Sequence, residues 1–120
     1  MKKLKVGVLG AGRGVDIAKD FMLLDCEIVA LCDFHEKRRK NGLRRLGSDV
    51  AEYSDFDSFI EHDMDAVILA NYFHEHAEYA VKCLERGIHV YSETLACGTL
   101  AKGVALIRAA EKSNAIYMFA

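Results

Sequence analysis

The sequence predicts a doubly wound α/β domain, in which a parallel sheet lies between two layers of helices. Short apolar runs alternate with amphipathic segments along all 120 residues, and glycines follow several of those segments. Connections that each contain a helix are right-handed crossovers between parallel strands, and they predict a three-layer αβα fold with the strand order 3-2-1-4-5-6. We expect one domain over residues 1–120, since this length is too short for two.

Six apolar runs are the expected strands. They cover Leu4–Leu9, Glu27–Cys32, Val50–Tyr53, Ala66–Ala70, Ile88–Tyr91 and Ala115–Phe119. Runs of this length are typical of strands buried in a parallel sheet, and they are far shorter than a membrane-spanning segment. We therefore expect no membrane partner.

Helical periodicity predicts the segments between the strands. Ser54 and Asp57 resemble a capping box at the start of a short helix, and Gly47 and Gly87 stand where helices commonly end. The expected helices cover about His35–Leu46, Asp55–His62, His74–Arg86 and a segment from Thr99 to Lys112. In the first helix, the inward-facing residues are expected to be Val15, Ala18, Phe21, Met22 and Leu24.

Composition and charge argue against several classes of function. The 16 Lys and Arg against 18 Asp and Glu give a net charge of −2, which offers no electrostatic support for nucleic-acid binding. The basic run from Glu36 to Arg45 is interpreted as the solvated face of one helix. The cysteines show no metal-ligand spacing, and we expect them to be reduced in a cytoplasmic protein; they are Cys26, Cys32, Cys83 and Cys97. Proline is absent, which suggests an edited or redesigned sequence.

A glycine-rich segment, Gly10-Ala11-Gly12-Arg13-Gly14-Val15, joins the first strand to the first helix. Glycines at this point let the chain turn sharply and bring backbone N–H groups close to a pyrophosphate at the helix N-terminus. Val15 occupies a position that normally holds a small residue, so the dinucleotide fingerprint is incomplete. The loop also fits the G-x-G-x-G of S-adenosylmethionine-binding domains, although the first strand lacks the acidic residue that those domains usually carry.

Asp33 follows the second strand, about 20 residues after the first glycine of the loop. A carboxylate there can accept hydrogen bonds from both ribose hydroxyls of an adenosine, and it repels a 2′-phosphate. We therefore predict NAD as the ligand and count Phe34 among the residues that line its site. NADP stays an alternative, because Lys37, Arg38 and Arg39 follow closely and Arg38 is placed at the site.

The segment DAVILANYFHEHAEYAVKCLERGIHVYSET, Asp65 to Thr94, resembles the N-terminal domain of the Gfo/Idh/MocA oxidoreductases. Domains of that family read D-a-V, an apolar run, a-T-P, H-A-E, A-L-x-x-G-K-H-V and E-K-P, and the spacing here matches without a gap. The glycine loop, Asp33 and the final AAEKSNAIYMFA extend the resemblance over essentially the whole chain.

The resemblance implies an NAD(P)-binding Rossmann domain and assigns roles to particular residues. Gly10, Gly12 and Arg13 match the family's pyrophosphate loop, and Asp33 matches its ribose acid. The other positions that match the family's cofactor site are Ala70, Asn71, His76, Glu93 and Thr94. His76 suits helix capping at least as well as cofactor contact. Thr94 replaces the family's lysine beside the nicotinamide and Leu95 replaces the proline, so no catalytic residue is identified.

The resemblance also implies a reaction, which is hydride transfer between a nicotinamide and a sugar-like or polyol-like alcohol. Family enzymes continue past the sixth strand into a substrate-binding domain, which we expect this chain to lack. The chain alone is then expected to bind nucleotide with negligible turnover, and surface that a second domain would cover makes a homo-oligomer plausible. Two alternatives stay open, a stand-alone nucleotide-sensing module and a redesigned structural domain that no longer binds nucleotide.

Overall fold

A computed structural model describes residues 3–70, 76–92, 109 and 111–119 of the chain. Six strands form one sheet in the order β3-β2-β1-β4-β5-β6, and every neighbouring pair is parallel, which confirms the predicted fold class and strand order. The strands are β1 Leu4–Leu9, β2 Cys26–Cys32, β3 Ala51–Tyr53, β4 Ala66–Leu69, β5 His89–Ser92 and β6 Tyr117–Phe119.

Helices cover both faces of the sheet. Among the described residues, the helices are α1 Arg13–Phe21, α2 Glu36–Leu46, α3 Phe56–Phe59 and α4 His76–Glu85. One buried cluster joins α1 and α2 to the sheet, and a second joins α3 and α4 to its opposite face. The three-layer αβα arrangement is therefore confirmed.

Burial on both faces explains why the strands are continuously apolar. In β4, Val67 and Leu69 belong to the cluster under α3 and α4, whereas Ile68 belongs to the cluster under α1 and α2. All three side chains are fully buried, so neither face of this central strand tolerates a polar residue.

Several element ends differ from the prediction by one or two residues. β2 begins at Cys26, one residue before the predicted Glu27, and β3 begins at Ala51, one residue after Val50. β4 ends one residue early, β5 is shifted by one residue to His89–Ser92, and β6 is shortened to Tyr117–Phe119. The ends shift because pairing with a neighbouring strand, and not the apolar run alone, decides where a strand begins and ends.

Two of the five residues predicted to face inward from the first helix do not. Val15 and Ala18 are buried and Phe21 packs edge-on against Tyr91, as expected. Met22 and Leu24 are exposed, because α1 ends at Phe21 and the chain then turns toward β2. Asp25 completes that turn with a φ of 62°. The prediction was wrong because it continued the helical period past the end of the helix.

The short third helix is capped by Asp55 and not by Ser54. The Asp55 carboxylate accepts a hydrogen bond from the Ser58 N–H at 2.9 Å, and the helix covers only Phe56–Phe59. The glycines at the ends of α2 and α4 have positive φ, 115° at Gly47 and 76° at Gly87, which confirms their predicted role as helix ends.

The remaining helix predictions are only partly covered by the structure. α2 begins at Glu36 after the capping residue His35, and α4 ends at Glu85. The predicted start of α4 at His74 lies outside the described residues. Ala109, Glu111 and Lys112 are helical, and the rest of the predicted final helix from Thr99 also lies outside them.

Three cysteines lie in the described part of the chain, and all three are free thiols. Burial raises the pKa of Cys32 and of Cys83 to about 12, so both stay protonated and are poor nucleophiles. Cys97 lies outside the described residues. Within the described ranges, no helix has the length and apolar character that crossing a membrane requires.

Candidate functional site

The glycine loop lies at the carboxyl end of β1, between that strand and α1. Gly10 has a φ of 104°, a backbone conformation that favours glycine, and its N–H donates to the carbonyl oxygen of Cys32 at 2.9 Å. This bond ties the loop to the end of β2. Gly10 is therefore required for the turn itself, as the sequence predicted.

Gly12 precedes the first turn of α1 and faces open space. A Cβ built at Gly12 would meet no atom of the protein within 4 Å. Because glycine has no side chain, a ligand can approach the backbone here. The start of the helix presents N–H groups and a partial positive charge to such a ligand. Arg13 is the first residue of that helix. The loop therefore fits the pyrophosphate of a dinucleotide.

Gly14 lets α1 pack closely on the sheet. A Cβ at this position would lie 2.8 Å from Val8 Cγ1 and 3.4 Å from the Cβ of Ala70. Gly14 thus provides the close helix–strand contact that the third glycine of the fingerprint normally provides. Ala70 is fixed beside the loop, because its N–H donates to the Leu9 carbonyl at 2.8 Å.

Val15 is fully buried, and the space for it comes from α2. A Cβ at Gly42 would lie 3.2 Å from Val15 Cγ2, 3.2 Å from the Cβ of Ala11 and 2.9 Å from Leu31 Cδ2. The contact of Gly42 with the glycine loop was not predicted from the sequence. Its signal is a glycine inside a helix, which costs about 1 kcal/mol relative to alanine and therefore commonly marks a close contact.

Asp33 connects the glycine loop to the start of α2. Its Oδ2 accepts the N–H of Ala11 at 2.8 Å and its Oδ1 accepts the N–H of His35 at 2.7 Å. The side chain is only 6% exposed, and the Arg38 guanidinium lies 3.5 Å from Oδ1. Each carboxylate oxygen has two lone-pair sites, so Oδ2, which accepts one N–H, retains a site for a further donor. Asp33 therefore lies next to the loop, as predicted, and it also orders that loop.

Two further predicted residues flank Asp33. Phe34 is 53% exposed, so its ring offers an apolar surface beside Asp33. Arg38 is half-exposed and is the cation nearest to the Asp33 carboxylate. Phe34 could therefore contact an adenine ring, and Arg38 could contact a 2′-phosphate.

Arg39 does not have the position that the sequence suggested for it. The sequence places Arg39 among the cations that could reach a 2′-phosphate. In the structure, its Nε donates to Glu52 Oε2 at 2.5 Å and its Nη1 donates to the Asp33 carbonyl at 3.0 Å. Glu52 also accepts a bond from Lys40 at 2.9 Å. The hydrogen bond from Arg39 and then that from Lys40 hold the pKa of Glu52 below its usual value.

The structure describes most, but not all, of the predicted cofactor residues. The loop from Gly10 to Val15, Asp33, Phe34, Arg38 and Ala70 all belong to the carboxyl edge of the sheet. His76 is the first residue of α4, and its side chain is not described. Asn71, Glu93 and Thr94 lie outside the described residues, so their roles stay predictions.

Comparison with known proteins assigns the family. Residues 4–120 match the Gfo/Idh/MocA family, described as an oxidoreductase family with an NAD-binding Rossmann fold. The myo-inositol 2-dehydrogenase of Thermotoga maritima is 29% identical over 116 residues, which cover 94% of this chain and 34% of that protein. Glycosyl hydrolase family 109 protein 1 of Bacteroides thetaiotaomicron is 30% identical over 125 residues, covering 95% of this chain and 27% of that protein.

Solved structures have the same fold. The myo-inositol 2-dehydrogenase of Lactobacillus plantarum superposes with a TM-score of 0.91 at 18% identity, over 99% of this chain and 36% of that one. A dehydrogenase of Chromobacterium violaceum, crystallised with NADH and UDP-GlcNAcA, superposes with a TM-score of 0.89 at 22% identity, over 100% of this chain and 35% of that one.

The chain spans about a third of the length of the relatives it matches. The family match favours a nicotinamide dinucleotide over S-adenosylmethionine as the ligand of the glycine loop. The family model matches nearly the whole chain, and the strand order and the glycine loop agree with it. The chain therefore belongs to the Gfo/Idh/MocA oxidoreductase family and forms the NAD-binding Rossmann fold of that family.

Proposed function

We propose that the chain binds NAD along the carboxyl edge of the sheet and that Asp33 recognises the adenosine ribose. The observation that carries this proposal is the contact between the Asp33 carboxylate and the Ala11 N–H at 2.8 Å, which joins the ribose acid to the pyrophosphate loop. The open space beside Gly12 leaves room for the diphosphate. Phe34 and Arg38 flank the adenosine end of this site.

NAD is the proposed ligand in preference to NADP. A 2′-phosphate would have to approach the buried Asp33 carboxylate, and two anionic groups repel each other. Arg38 could compensate in part, but its guanidinium already lies 3.5 Å from that carboxylate. The net effect favours a ribose with two free hydroxyls.

The proposal is tested by isothermal titration of the chain with NAD and with NADP, repeated on Asp33→Ala. We expect NAD to bind more tightly than NADP, and the substitution to weaken NAD binding by about 10- to 100-fold, because it removes hydrogen bonds to a charged acceptor. Asp57→Ala is the matched control, since Asp57 is an exposed acid on α3, which packs on the face of the sheet opposite α1 and α2. A folded Asp33→Ala variant that binds NAD as the wild type does would contradict the proposal.

We further propose that a full-length protein containing this domain transfers hydride between NAD and a secondary alcohol of a polyol or sugar. The similarity to inositol dehydrogenases supports this assignment. The bound nicotinamide would accept or donate the hydride, and the residues at the carboxyl edge of the sheet would hold the adenosine and the diphosphate of the cofactor. We expect the chain by itself to reduce NAD negligibly with any polyol, and absorbance of reduced nicotinamide measures this.

A hydrolytic reaction is the second candidate. It is favoured by the similarity to the glycosyl hydrolase of Bacteroides thetaiotaomicron. Hydrolysis produces no net reduction of NAD, whereas alcohol oxidation does. Absorbance of reduced nicotinamide, followed beside release of free sugar from a glycoside by the full-length protein, distinguishes the two reactions.

We also propose that the chain self-associates and is located in the cytoplasm. Met118 on the edge strand β6 is 55% exposed and Ile116, which directly precedes that strand, is 63% exposed, which supports self-association. The free thiols of Cys26, Cys32 and Cys83 are typical of a reducing compartment. Sedimentation across a concentration series tests the first part, because a mass equal to one chain at all concentrations would contradict it.

A further inference from the structure

Arg39 connects three elements of the sheet edge around Asp33. It lies in the first turns of α2, its Nε donates to Glu52 on β3, and its Nη1 donates to the backbone carbonyl of Asp33 at 3.0 Å. The side chain is only 12% exposed, although arginine is normally a surface residue. A guanidinium carries several donors in a rigid planar fork, so one side chain can make both bonds at once.

The hydrogen bond from Arg39 to the Asp33 carbonyl takes the place of a backbone hydrogen bond from β3. The pairing of β2 with β3 ends at Cys32 and Tyr53, and it is followed by one more bond, from the Asp33 N–H to the Tyr53 carbonyl at 3.2 Å. Beyond that point the chain leaves β3 for α3, and the donor to the Asp33 carbonyl comes from Arg39. The peptide groups on both sides of Asp33 are therefore held.

Holding both peptide groups fixes the direction of the Asp33 side chain. The N–H on one side and the carbonyl on the other limit φ and ψ, which set the direction of the Cα–Cβ bond. The Asp33 carboxylate must reach the Ala11 N–H at 2.8 Å and the His35 N–H at 2.7 Å, distances that a small rotation would lengthen. A misplacement of about 1 Å in such a site is enough to lower function strongly.

Glu52 keeps Arg39 in this orientation. It accepts bonds from Arg39 at 2.5 Å and from Lys40 at 2.9 Å, and these bonds hold the pKa of Glu52 below its usual value. Glu52 is therefore anionic at neutral pH. The paired Arg39 guanidinium is then directed at the Asp33 carbonyl and away from solvent.

We propose that Arg39, held by Glu52, is a positioning residue that orients Asp33 and thereby determines how strongly the site discriminates for the adenosine ribose hydroxyls. The inference rests on the proposed function, since it concerns the same NAD site. It assigns Arg39 a role through Asp33 and not through contact with the nucleotide. Arg38, which is half-exposed and next in sequence, faces the carboxylate instead.

The test compares binding of NAD with that of an analogue lacking the 2′-hydroxyl of the adenosine ribose. In the wild type, we expect loss of this hydroxyl to weaken binding by about 10-fold, the size of one hydrogen bond to a charged group. In Arg39→Met, which keeps an apolar stem and loses the donors, we expect this ratio to fall to about 2-fold. A purely structural role would weaken both ligands in equal proportion and leave the ratio unchanged.

Two further variants separate positioning from stability. Arg39→Lys retains the charge beside Glu52 but lacks the fork that spans both acceptors, so its ratio should also fall while thermal unfolding stays near that of the wild type. Arg45→Met is the control on the same helix, because the exposed Arg45 side chain pairs with Asp16 of α1. Its ratio should equal that of the wild type.

Hydrogen exchange of the nucleotide-free chain gives a second, independent readout. In both Arg39 variants the amides of Ala11 and His35, which donate to Asp33, should exchange about 10-fold faster, whereas the Leu84 amide in α4 should not change. If both the ligand ratio and the exchange rates at Ala11 and His35 are unchanged, the positioning role of Arg39 is wrong and the proposed function stands. A wild-type chain that binds neither nucleotide overturns the proposed function, and with it this inference.

Discussion

The Asp33 carboxylate orders the glycine loop and is also suited to bind a ribose. Its position after β2 suits it to accept ribose hydroxyls, and its two oxygens already accept the N–H groups of Ala11 and His35. The backbone of the same residue is bonded to Tyr53 and Arg39. The loop therefore has part of its binding geometry before any nucleotide arrives, which lowers the ordering cost of binding.

The Glu52 ion pair predicts a dependence of stability on pH. The pKa of Glu52 is lowered in the folded chain from an ordinary value of 4.5, by the bond from Arg39 first and that from Lys40 second. A lowered folded-state pKa means that the contribution is complete above the unfolded-state value and is lost as pH falls through the folded-state value. The wild type should therefore be more stable than Glu52→Gln at pH 7, and this difference should shrink below about pH 4.5.

Urea unfolding of both proteins between pH 3 and pH 7 measures this difference. Glu27→Gln is the control, since Glu27 is also an exposed acid and lies on the neighbouring strand β2. A gap between wild type and Glu52→Gln that stays constant over the whole range would show that the Glu52 charge does not stabilise the fold.

The residues that could be predicted are those whose role depends on local chain geometry. Gly10 follows a strand and precedes a helix, and Asp33 ends the next strand, so their places could be inferred from position alone. Arg39 and Glu52 could not be paired in advance, because they belong to different elements and meet only when α2 packs beside β3. Gly42 was missed for the same reason, since its partners are Ala11, Val15 and Leu31.

At the scale of elements, α1 and α2 pack together through a large residue that faces a glycine. Val15 is larger than the fingerprint prefers, and Gly42 leaves the space that it occupies. The same glycine also lies against Ala11, whose N–H donates to Asp33. Packing between the two helices and the geometry of the glycine loop are therefore coupled.

Adding a methyl group at position 42 tests this coupling. Gly42→Ala gains about 1 kcal/mol of helix propensity but overpacks the contact at a cost of about 1 to 3 kcal/mol, so we expect net destabilisation of about 1 kcal/mol. In a Val15→Ala background, the same change should cost less, because the contact with Val15 Cγ2 is removed while those with Leu31 and Ala11 remain. Chemical unfolding of the four proteins in this cycle measures both values.

Asn41→Ala provides the matched control for the helix-propensity gain, since Asn41 is exposed on the same helix. If Gly42→Ala stabilised the chain as much as Asn41→Ala does, the contact with Val15 would not be tight. An equal effect of Gly42→Ala with and without Val15 would likewise contradict the coupling.

Element order was predictable, whereas element ends were not. The apolar runs of β1 and β4 are buried on both faces, which makes such strands visible from composition. The end of α1 has no comparable signal, because Met22, Leu23 and Leu24 continue the apolar pattern although all three are exposed. The turn depends instead on the backbone conformation at Asp25, which its residue type permits but does not dictate.

At the scale of the whole molecule, the strand order brings the predicted site residues to one edge of the sheet. The ends of β1, β2 and β4 are neighbours in the order β3-β2-β1-β4-β5-β6, so the glycine loop, Asp33 and Ala70 meet although they are far apart in sequence. In open parallel sheets, ligands bind at the carboxyl ends of the strands where the strand order reverses. Here that point lies between β1 and β4.

The most direct test of this account is an NMR titration of the isotopically labelled chain with NAD, with amide shifts followed residue by residue. The account predicts that the largest changes fall on Ala11, Gly12 and Arg13 of the loop and on Phe34 and His35 beside Asp33, while amides of α3 change little. The absence of shifts at saturating NAD, or shifts concentrated away from the carboxyl edge of the sheet, would contradict it.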